Sequence, residues 1–253
     1  GSPLENAELR TIASALIGEM QLQRVDAGED VSTAQVWEDG PVRVHAFRIS
    51  DGVALALRLL GKTIPSLESL HLPAAVASLC ERDRGLILFA GPTGSGKSTS
   101  LAAVIDRINT RSARRIVTIE DPIEYRHASK SSLIAQREVG RDVPTFADAI
   151  VGSLRADPDV VMVGEMRDAT TMHAVLTAAE TGHLVFATLH TGDAVQTIDR
   201  ITDAFSGSEQ ARVRAQLAQV LAGVVCQHLI ARAEGPGRRV VAEILIANDA
   251  VRN

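Results

Sequence analysis

The sequence predicts an α/β fold with a mostly parallel sheet, preceded by a small α+β domain. From about residue 74 onward, short apolar runs alternate with helix-like segments, which is typical of parallel strands joined by helices. Upstream, a helix-like segment precedes two alternating runs joined by Asp51-Gly52, a strong signal for a hairpin. Between the two patterns, residues 61–73 contain glycine, proline and serine and predict a linker. We therefore expect an N-terminal domain over residues 1–66 and a C-terminal domain over residues 67–253.

The elements of the N-terminal domain follow from the spacing of its apolar residues. Residues 6–22 place Leu9 and Leu16 on one face of a predicted helix. Residues 41–49 and 53–60 alternate as strands with one buried face do. The opening Gly-Ser-Pro at residues 1–3 is interpreted as a cloning remnant and is excluded from the reasoning on the fold.

The C-terminal domain is predicted to alternate strands with helices and to close with a hairpin at a sheet edge. The predicted strands cover 85–90, 115–119, 159–163 and 184–188. The predicted helices cover 74–82, 97–109, 145–155, 168–181, 192–203 and 208–231. The hairpin has arms at 229–232 and 239–246 around the turn Gly235-Pro236-Gly237.

The charge balance limits the classes of partner. Acidic residues exceed basic residues by 31 − 26 = 5, so the formal net charge is −5. This balance argues against a protein that coats nucleic acid non-specifically. A local basic groove stays open as an alternative, although such a run of arginines is more often a solvated helix end. The candidate run is Arg107, Arg111, Arg114 and Arg115.

Cysteine usage and hydropathy limit the compartment. Cys80 and Cys226 are far apart in sequence and neither belongs to a CxxC pair. This excludes a disulfide framework and the usual zinc pattern, and it favours a reducing compartment. We find no signal peptide and no uncharged apolar run of about 18 residues. The nearest candidate, residues 215–231, is predicted to be a buried helix because polar residues such as Gln227 interrupt it.

One segment predicts a nucleotide site directly. Residues 91–98 match the phosphate-loop pattern G-x-x-x-x-G-K-[ST], between a predicted strand and a predicted helix. Glycines let successive N–H groups converge on an anion, Lys97 reaches the phosphates, and the Ser98 hydroxyl ligates Mg²⁺. The predicted nucleotide-binding residues are Gly91, Pro92, Thr93, Gly94, Ser95, Gly96, Lys97, Ser98 and Thr99. The chain is therefore expected to bind a nucleoside triphosphate with Mg²⁺.

Acidic residues follow two predicted strands at the edge where open α/β sheets bind ligands. Glu165 comes after 160–163 and is a candidate to hold Mg²⁺ through water or to orient the attacking water. Gly164 stands where the usual Walker-B aspartate is expected. Glu120, Asp121 and Glu124 follow the strand at 115–119, and one of them is expected to act as a general base. The alternative is a solvated acidic loop without a catalytic role.

A histidine follows a third strand. His190 comes after the predicted strand at 184–188, where an imidazole is suited to sense the γ-phosphate. A single histidine is more often structural, so at this point both interpretations stay open.

Together these segments resemble the secretion-ATPase superfamily of ring-forming motors, which drives type II secretion and type IV pilus assembly and retraction. The resemblance covers about residue 4 to residue 253 and is carried by GPTGSGKST, EDPIEY, GEMRD, GHLVFATLHT and QREVG. The chain is most similar to the pilus retraction ATPases, because it has GEMRD, lacks a tetracysteine zinc module and contains AVRN, similar to their AIRN motif. It departs from the pattern at Ala187, where many relatives carry glycine, and it stops before the C-terminal helices expected of the family. The opening strand of the family is also missing, so the N-terminal domain is expected to be incomplete at its start.

The resemblance implies a RecA-like P-loop NTPase domain that hydrolyses ATP with Mg²⁺ and uses no zinc. Lys97 and Ser98 would serve the phosphates and Mg²⁺, and Glu165 resembles the Walker-B-type glutamate. Glu124 resembles the catalytic glutamate that polarises water. His190 resembles the histidine-box residue near the γ-phosphate.

The resemblance also implies a ring. Arg43 and Arg58, taken alone, are only arginines on predicted strands, but they resemble the arginine fingers that reach the nucleotide of a neighbouring subunit. A homo-oligomer, expected to be a hexamer, would use ATP hydrolysis to change the angle between the two domains. It would act on a pilus platform protein of the inner membrane. The motor is expected to be cytoplasmic, bacterial and attached to the membrane only through partners.

Three alternatives stay open. Pilus assembly and type II secretion ATPases share the same catalytic parts, and the missing cysteines speak only against their zinc-containing members. A RecA-like ring that translocates nucleic acid is disfavoured by the acidic balance and the lack of an aromatic and basic stripe. A nucleotide-gated scaffold without hydrolysis is disfavoured by the presence of Lys97, Glu124 and Glu165.

Overall fold

The computed structural model describes residues 4–37, 40–61 and 63–252. Residues 1–3, interpreted as a cloning remnant, lie outside the described residues. So does Asn253, the last residue of AVRN. The chain forms two compact units: Gly1–Thr63 with Asp121–Arg126, and Ile64–Glu120 with His127–Asn253. The sequence does not predict that 121–126 groups with the N-terminal residues. This grouping divides the motif EDPIEY, with Glu120 in the second unit and the other five residues in the first. Among the described helices, none has the length and apolar character needed to span a membrane.

The first unit contains a three-stranded antiparallel sheet. Its helices are α1 (Asn6–Ile17) and α2 (Glu19–Asp26), and its strands are β1 (Val31–Trp37), β2 (Gly40–Ile49) and β3 (Gly52–Leu59) in that order. Gly18, with a φ of 83°, separates α1 from α2, so the single helix predicted over 6–22 is wrong at this point. The hairpin of β2 and β3 around Asp51-Gly52 is confirmed. Strand β1 is absent from the prediction because its burial does not alternate regularly.

The second unit contains a seven-stranded sheet. Its strands are β4 (Gly85–Ala90), β5 (Arg115–Glu120), β6 (Leu133–Glu138), β7 (Val160–Val163), β8 (Leu184–Leu189), β9 (Leu221–Ala231) and β10 (Arg238–Ile246). Its helices are α3 (Ala74–Cys80), α4 (Lys97–Arg111), α5 (Phe146–Leu154), α6 (Ala169–Glu180), α7 (Ala194–Asp203), α8 (Gly207–Val220) and α9 (Asp249–Arg252). The strand order is β10-β9-β4-β8-β7-β5-β6, and only the β9–β10 pair is antiparallel. The predicted α/β class with a mostly parallel sheet is confirmed.

The middle of this sheet is buried on both faces. All residues of β4 and β8 are buried, which explains why these strands appear in the sequence as continuous apolar runs. Leu86 and Leu88 pack into the apolar cluster that contains residues of α5 and α6. Ile87 and Phe89 pack on the other face with residues of α4. These two layers fix the carboxyl ends of the strands, where the candidate site residues lie.

Two parts of the sheet differ from the prediction. The helix predicted over 208–231 is wrong beyond Val220, because the following residues form β9. A run of this length fits a helix or a strand, and hydrogen bonding to β4 on one side and β10 on the other selects the strand. The hairpin at the sheet edge is confirmed, with longer arms than predicted. Strand β6 is absent from the prediction because it is an edge strand of mixed polarity that ends in Gln136, Arg137 and Glu138.

Candidate nucleotide-binding site

The phosphate loop joins β4 to α4, which is the strand–loop–helix order that its motif requires. Gly91 has a φ of 142°, and a Cβ atom there would lie 2.3 Å from Gln227 O and 2.6 Å from Ser95 Oγ. Gly96, just before α4, has a φ of 93°. Glycine alone accepts the close approach at position 91. The loop therefore has the backbone freedom needed to turn its N–H groups towards an anion at the start of the helix.

Lys97 is the first residue of α4, and its side chain is buried. Its ammonium donates hydrogen bonds to two loop carbonyls, Gly91 O at 2.7 Å and Pro92 O at 3.1 Å. Burial lowers the pKa of Lys97, and the negative charge of Glu165 opposes that shift. The loop thus contains a cation whose hydrogen-bond partners are neutral, and a phosphate is a better partner for it.

Ser98 and Glu165 have side-chain oxygens of the kind that could hold a metal ion. Ser98 follows Lys97 in the first turn of α4, and its side chain is exposed, whereas Thr99 is half-buried. Mg²⁺ prefers oxygen ligands and usually takes one or two protein ligands together with phosphate oxygens and water. A serine hydroxyl and a carboxylate fit that requirement. Within the part of the chain that the structure describes, no group of three or more His, Cys, Asp or Glu side chains could hold a metal by itself.

Glu165 follows β7 and lies between two basic side chains. Arg167 Nε donates to Glu165 Oε2 at 2.8 Å, and His190 Nε2 lies 3.3 Å from Glu165 Oε1. The carboxylate is 22% exposed, so it is partly shielded but still reachable by water. These two contacts fix the orientation of the carboxylate at the sheet edge.

Gly164, at the position expected for the usual Walker-B aspartate, is closely packed between two strand ends. Its N–H donates to Ile119 O at 2.7 Å, and its carbonyl accepts a bond from Thr188 Oγ1 at 2.5 Å. A Cβ atom at this position would lie 3.2 Å from Ile119 O and 3.4 Å from Glu120 Cα. The backbone ends of β5 and β7 therefore leave little space for any side chain, and the acid is delivered one residue later.

His190 follows β8 and connects Glu165 with the phosphate loop. Its Nε2 lies near Glu165, and its Nδ1 lies 3.5 Å from Thr93 Oγ1. Arg167, Glu165, His190 and Thr93 thus form a continuous polar chain that ends on the loop. A group bound at the loop can change this chain, because one member of the chain, Thr93, belongs to the loop itself.

The predicted acids after β5 lie in different surroundings. The Glu120 carboxylate accepts bonds from Thr118 Oγ1 at 2.7 Å and Gln136 Nε2 at 3.1 Å, both within the second unit. These bonds give Glu120 a role in joining β5 to β6. Asp121 and Glu124 belong to the first unit.

The two predicted arginines lie opposite each other on β2 and β3. Arg43 and Arg58 are directly paired in the antiparallel register, so their side chains share one face of the sheet. Arg43 Nη1 lies 3.6 Å from Glu124 Oε1, whereas Arg58 is exposed. Arg43 and Glu124 are therefore partners within one unit.

Two residues at the site receive no role from the sequence. Arg167 is part of the GEMRD motif, but nothing in the sequence indicates its contact with Glu165. Gln227 lies on β9 and donates its Nε2–H to Ser100 Oγ at 2.9 Å, with both side chains buried. The sequence signal that could have identified Gln227 is an amide within a long apolar run. The prediction of a helix over 208–231 prevents its placement on a strand beside the loop.

Three comparisons with known proteins can be set beside this geometry. A family profile described as "Type II/IV secretion system protein" matches residues 23–249. A twitching motility protein of Neisseria gonorrhoeae is 51% identical over 211 residues, which cover 83% of this chain and 56% of that protein. The type IV pilus retractation ATPase PilT of Pseudomonas aeruginosa is 43% identical over an alignment of 254 positions, which covers 99% of this chain and 73% of that protein. A crystal structure of the pilus retraction motor PilT with bound ADP has a TM-score of 0.90 and 46% identity, and the match covers 96% of this chain and 71% of that one. This chain therefore spans only 56% and 73% of the lengths of the two sequence relatives.

Proposed function

The chain belongs to the family of type II/IV secretion system proteins, and we propose that it hydrolyses ATP and powers the retraction of a type IV pilus. The observation that carries this proposal is the phosphate loop with its buried Lys97, connected through His190 to Glu165. The similarity to retraction ATPases and to a structure of one that contains ADP supports an adenine nucleotide as the ligand. The resemblance stated from the motifs alone is confirmed by these relatives.

In the proposed reaction, the loop and Lys97 bind the phosphates. Lys97 leaves the carbonyls of Gly91 and Pro92 and takes phosphate oxygens as partners, which are stronger acceptors for an ammonium. Ser98 and, through water, Glu165 would hold Mg²⁺, which neutralises charge on the phosphates in reactions of this class. The carboxylate of Glu165 stays oriented by Arg167 and His190.

The remaining roles concern the attacking water and the γ-phosphate. Glu124 accepts a proton from water as it attacks the γ-phosphate, as its resemblance to the catalytic glutamate implies. His190 senses the γ-phosphate, because the contact with Thr93 connects its ring to the loop. Glu120 and Asp121 support this region, Glu120 through its bonds to Thr118 and Gln136.

The ring is part of the same proposal. Arg43 and Arg58 supply positive charge to the nucleotide of a neighbouring subunit, and a hexamer is the expected assembly. An arginine supplied in this way accelerates hydrolysis by on the order of 10³–10⁵. Hydrolysis drives rotation between the two units, and the ring transmits it to a platform protein at the inner membrane, from the cytoplasm.

A subunit-mixing experiment tests the shared site. Lys97→Ala removes phosphate binding but keeps both arginines, whereas Arg43→Ala with Arg58→Ala keeps the loop. Each variant alone should release phosphate from ATP at a rate at least about 100-fold below that of the unsubstituted protein. A mixture of the two should recover part of the activity, because some subunit pairs combine an intact loop with intact arginines. If the mixture assembles but stays inactive, the proposal of arginines acting between subunits is wrong.

Genetics separates retraction from assembly. Deleting the gene should leave pili on the cell surface and abolish twitching motility if the protein drives retraction. Cells without pili would instead identify an assembly motor, which would use the same catalytic residues.

A nucleic-acid translocase is not supported by the candidate basic run. Arg107 pairs with Glu68 at 2.7 Å and Glu81 at 3.4 Å, and Arg114 pairs with Asp83 at 2.8 Å. Charges that are already paired with carboxylates contribute less to phosphate binding. Stimulation of the ATPase by single-stranded DNA would contradict this reasoning.

A further inference from the structure

Two buried polar atoms beside the phosphate loop have no hydrogen-bond partner among the described residues. They are the hydroxyl oxygen of Ser95 and the amide oxygen Oε1 of Gln227. Ser95 is 2% exposed and Gln227 is 1% exposed, so bulk water does not replace a missing partner. Buried polar groups in proteins are nearly always paired, and an unpaired one destabilises the state that contains it. The two atoms are chemically complementary, because a hydroxyl can donate to an amide oxygen.

Both residues lie close to the glycines of the phosphate loop, within the second unit. The point where a Cβ atom of Gly91 would lie is 2.6 Å from Ser95 Oγ and 2.3 Å from Gln227 O. The corresponding point of Gly96 is 4.0 Å from Gln227 Nε2. That nitrogen is already anchored, because it donates to Ser100 Oγ on α4. Gln227 therefore has its NH₂ group fixed on α4 and leaves its oxygen unpaired beside the loop.

In the conformation in which these two atoms are unpaired, Lys97 is hydrogen-bonded to the loop itself. The ammonium binds Gly91 O and Pro92 O, at the exit of β4. A phosphate that takes Lys97 as its partner releases both carbonyls. The segment between Gly91 and Gly96 then loses the two bonds that hold its first residues to the side chain of Lys97.

We propose that Gln227 is a positioning residue for nucleotide binding, because its Oε1 accepts a hydrogen bond from the Ser95 hydroxyl when the loop closes on the phosphates of a nucleoside di- or triphosphate. This inference rests on the proposed nucleotide binding and adds a residue from β9 to it. A bond that exists in only one state shifts the equilibrium towards that state. The Ser95–Gln227 bond thus stabilises the nucleotide-bound loop relative to the nucleotide-free loop.

The proposal makes a prediction that a purely structural role does not make. Ser95→Ala removes a buried unpaired hydroxyl from the nucleotide-free protein, so its Tm should stay the same or rise. The same variant should bind ADP more weakly, because the bound loop loses a hydrogen bond. Ser95→Ala should therefore lower the affinity for ADP without lowering the Tm of the nucleotide-free protein.

The experiment measures the Kd of a fluorescent ADP analogue by titration of the full chain with Mg²⁺ present. Ser95→Ala and Gln227→Met should each raise this Kd by about 5- to 30-fold, as expected for one buried hydrogen bond. The Kd of the double variant should be no higher than that of the single variant with the higher Kd, because both substitutions remove the same bond. Gln216→Met is the matched control: Gln216 also has a buried unpaired Oε1, but its amide donates to Glu180 on α6. This control should bind the analogue as the unsubstituted protein does.

Each outcome has a defined meaning. If the unsubstituted protein does not bind the analogue, the proposed function fails. If it binds and a folded Gln227→Met or Ser95→Ala variant binds within twofold of it, the inference about Gln227 is wrong. Losses that add in the double variant would also overturn it. Should Gln227→Met fail to fold, Gln227→Asn takes its place, because the shorter side chain withdraws the amide oxygen from the Ser95 hydroxyl. A Kd of that variant within twofold of the unsubstituted protein's would overturn the inference.

Discussion

Gly91→Ala tests how far the phosphate loop depends on the close approach of β9. The new methyl group would lie 2.3 Å from Gln227 O, well inside contact distance, at a residue with a φ of 142°. Overpacking of this kind costs about 1–3 kcal/mol, and an unfavourable backbone conformation costs on the order of 1–3 kcal/mol. A middle value of about 4 kcal/mol lowers Tm by about 8–16 °C for a chain of this length, at about 2–4 °C for each kcal/mol.

Gly182→Ala is the matched control for this prediction. Gly182 has a φ of 102° in the turn before β8, and a Cβ atom there would meet nothing within 4 Å. The control therefore carries the backbone strain without the clash, and Gly91→Ala should melt at least about 2 °C below it. Calorimetry without nucleotide measures both Tm values, and titration with the ADP analogue should show binding lost only in Gly91→Ala. Equal Tm values for the two variants would refute the reasoning, since the clash would then have no energetic consequence.

Three further predictions concern single side chains. Lys97→Ala should lower the rate of phosphate release from ATP by at least about 100-fold, because the charge that binds phosphate is lost. Circular dichroism should show a native fold, and an unchanged rate would contradict the assignment of Lys97 to the site. Glu165→Gln should lower kcat by on the order of 10²–10³ with little change in the Kd for ADP, because a charge that positions the metal at the developing transition state is lost; loss of ADP binding instead would assign the residue to binding alone. His127 is half-buried, and this burial lowers its pKa to about 4. The unfolded state therefore binds a proton first, and stability should fall as the pH falls from about 6.5 towards 4. His127→Leu should flatten that part of the curve in urea unfolding, and an equally steep curve would contradict the assignment.

The strands of the site could be predicted because burial on both faces makes them continuous apolar runs. The runs at 85–90 and 184–188 give β4 and β8 within a residue, and the loop motif gives the start of α4. The candidate residues Glu165 and His190 follow from the ends of such runs. Their mutual contact at 3.3 Å does not, because strand order is set by packing between segments distant in sequence.

The region after residue 220 could not be predicted from local pattern. An apolar run of this kind suits a buried helix as well as a strand, and only the pairing with β4 and β10 decides between them. Gln227 is hidden by the same ambiguity, because a helix would not place its amide on α4. The contact between Arg43 and Glu124 is likewise non-local, joining residues that are far apart in the chain.

The six residues 121–126 restrict how this protein can be divided into fragments. They belong to the first unit, although the segments on both sides of them belong to the second. A fragment that ends at residue 63 would therefore lack Glu124 and leave the guanidinium of Arg43 without its ion-pair partner. A fragment that contains the whole first unit must therefore join residues 121–126 to residues 1–63 through a new linker.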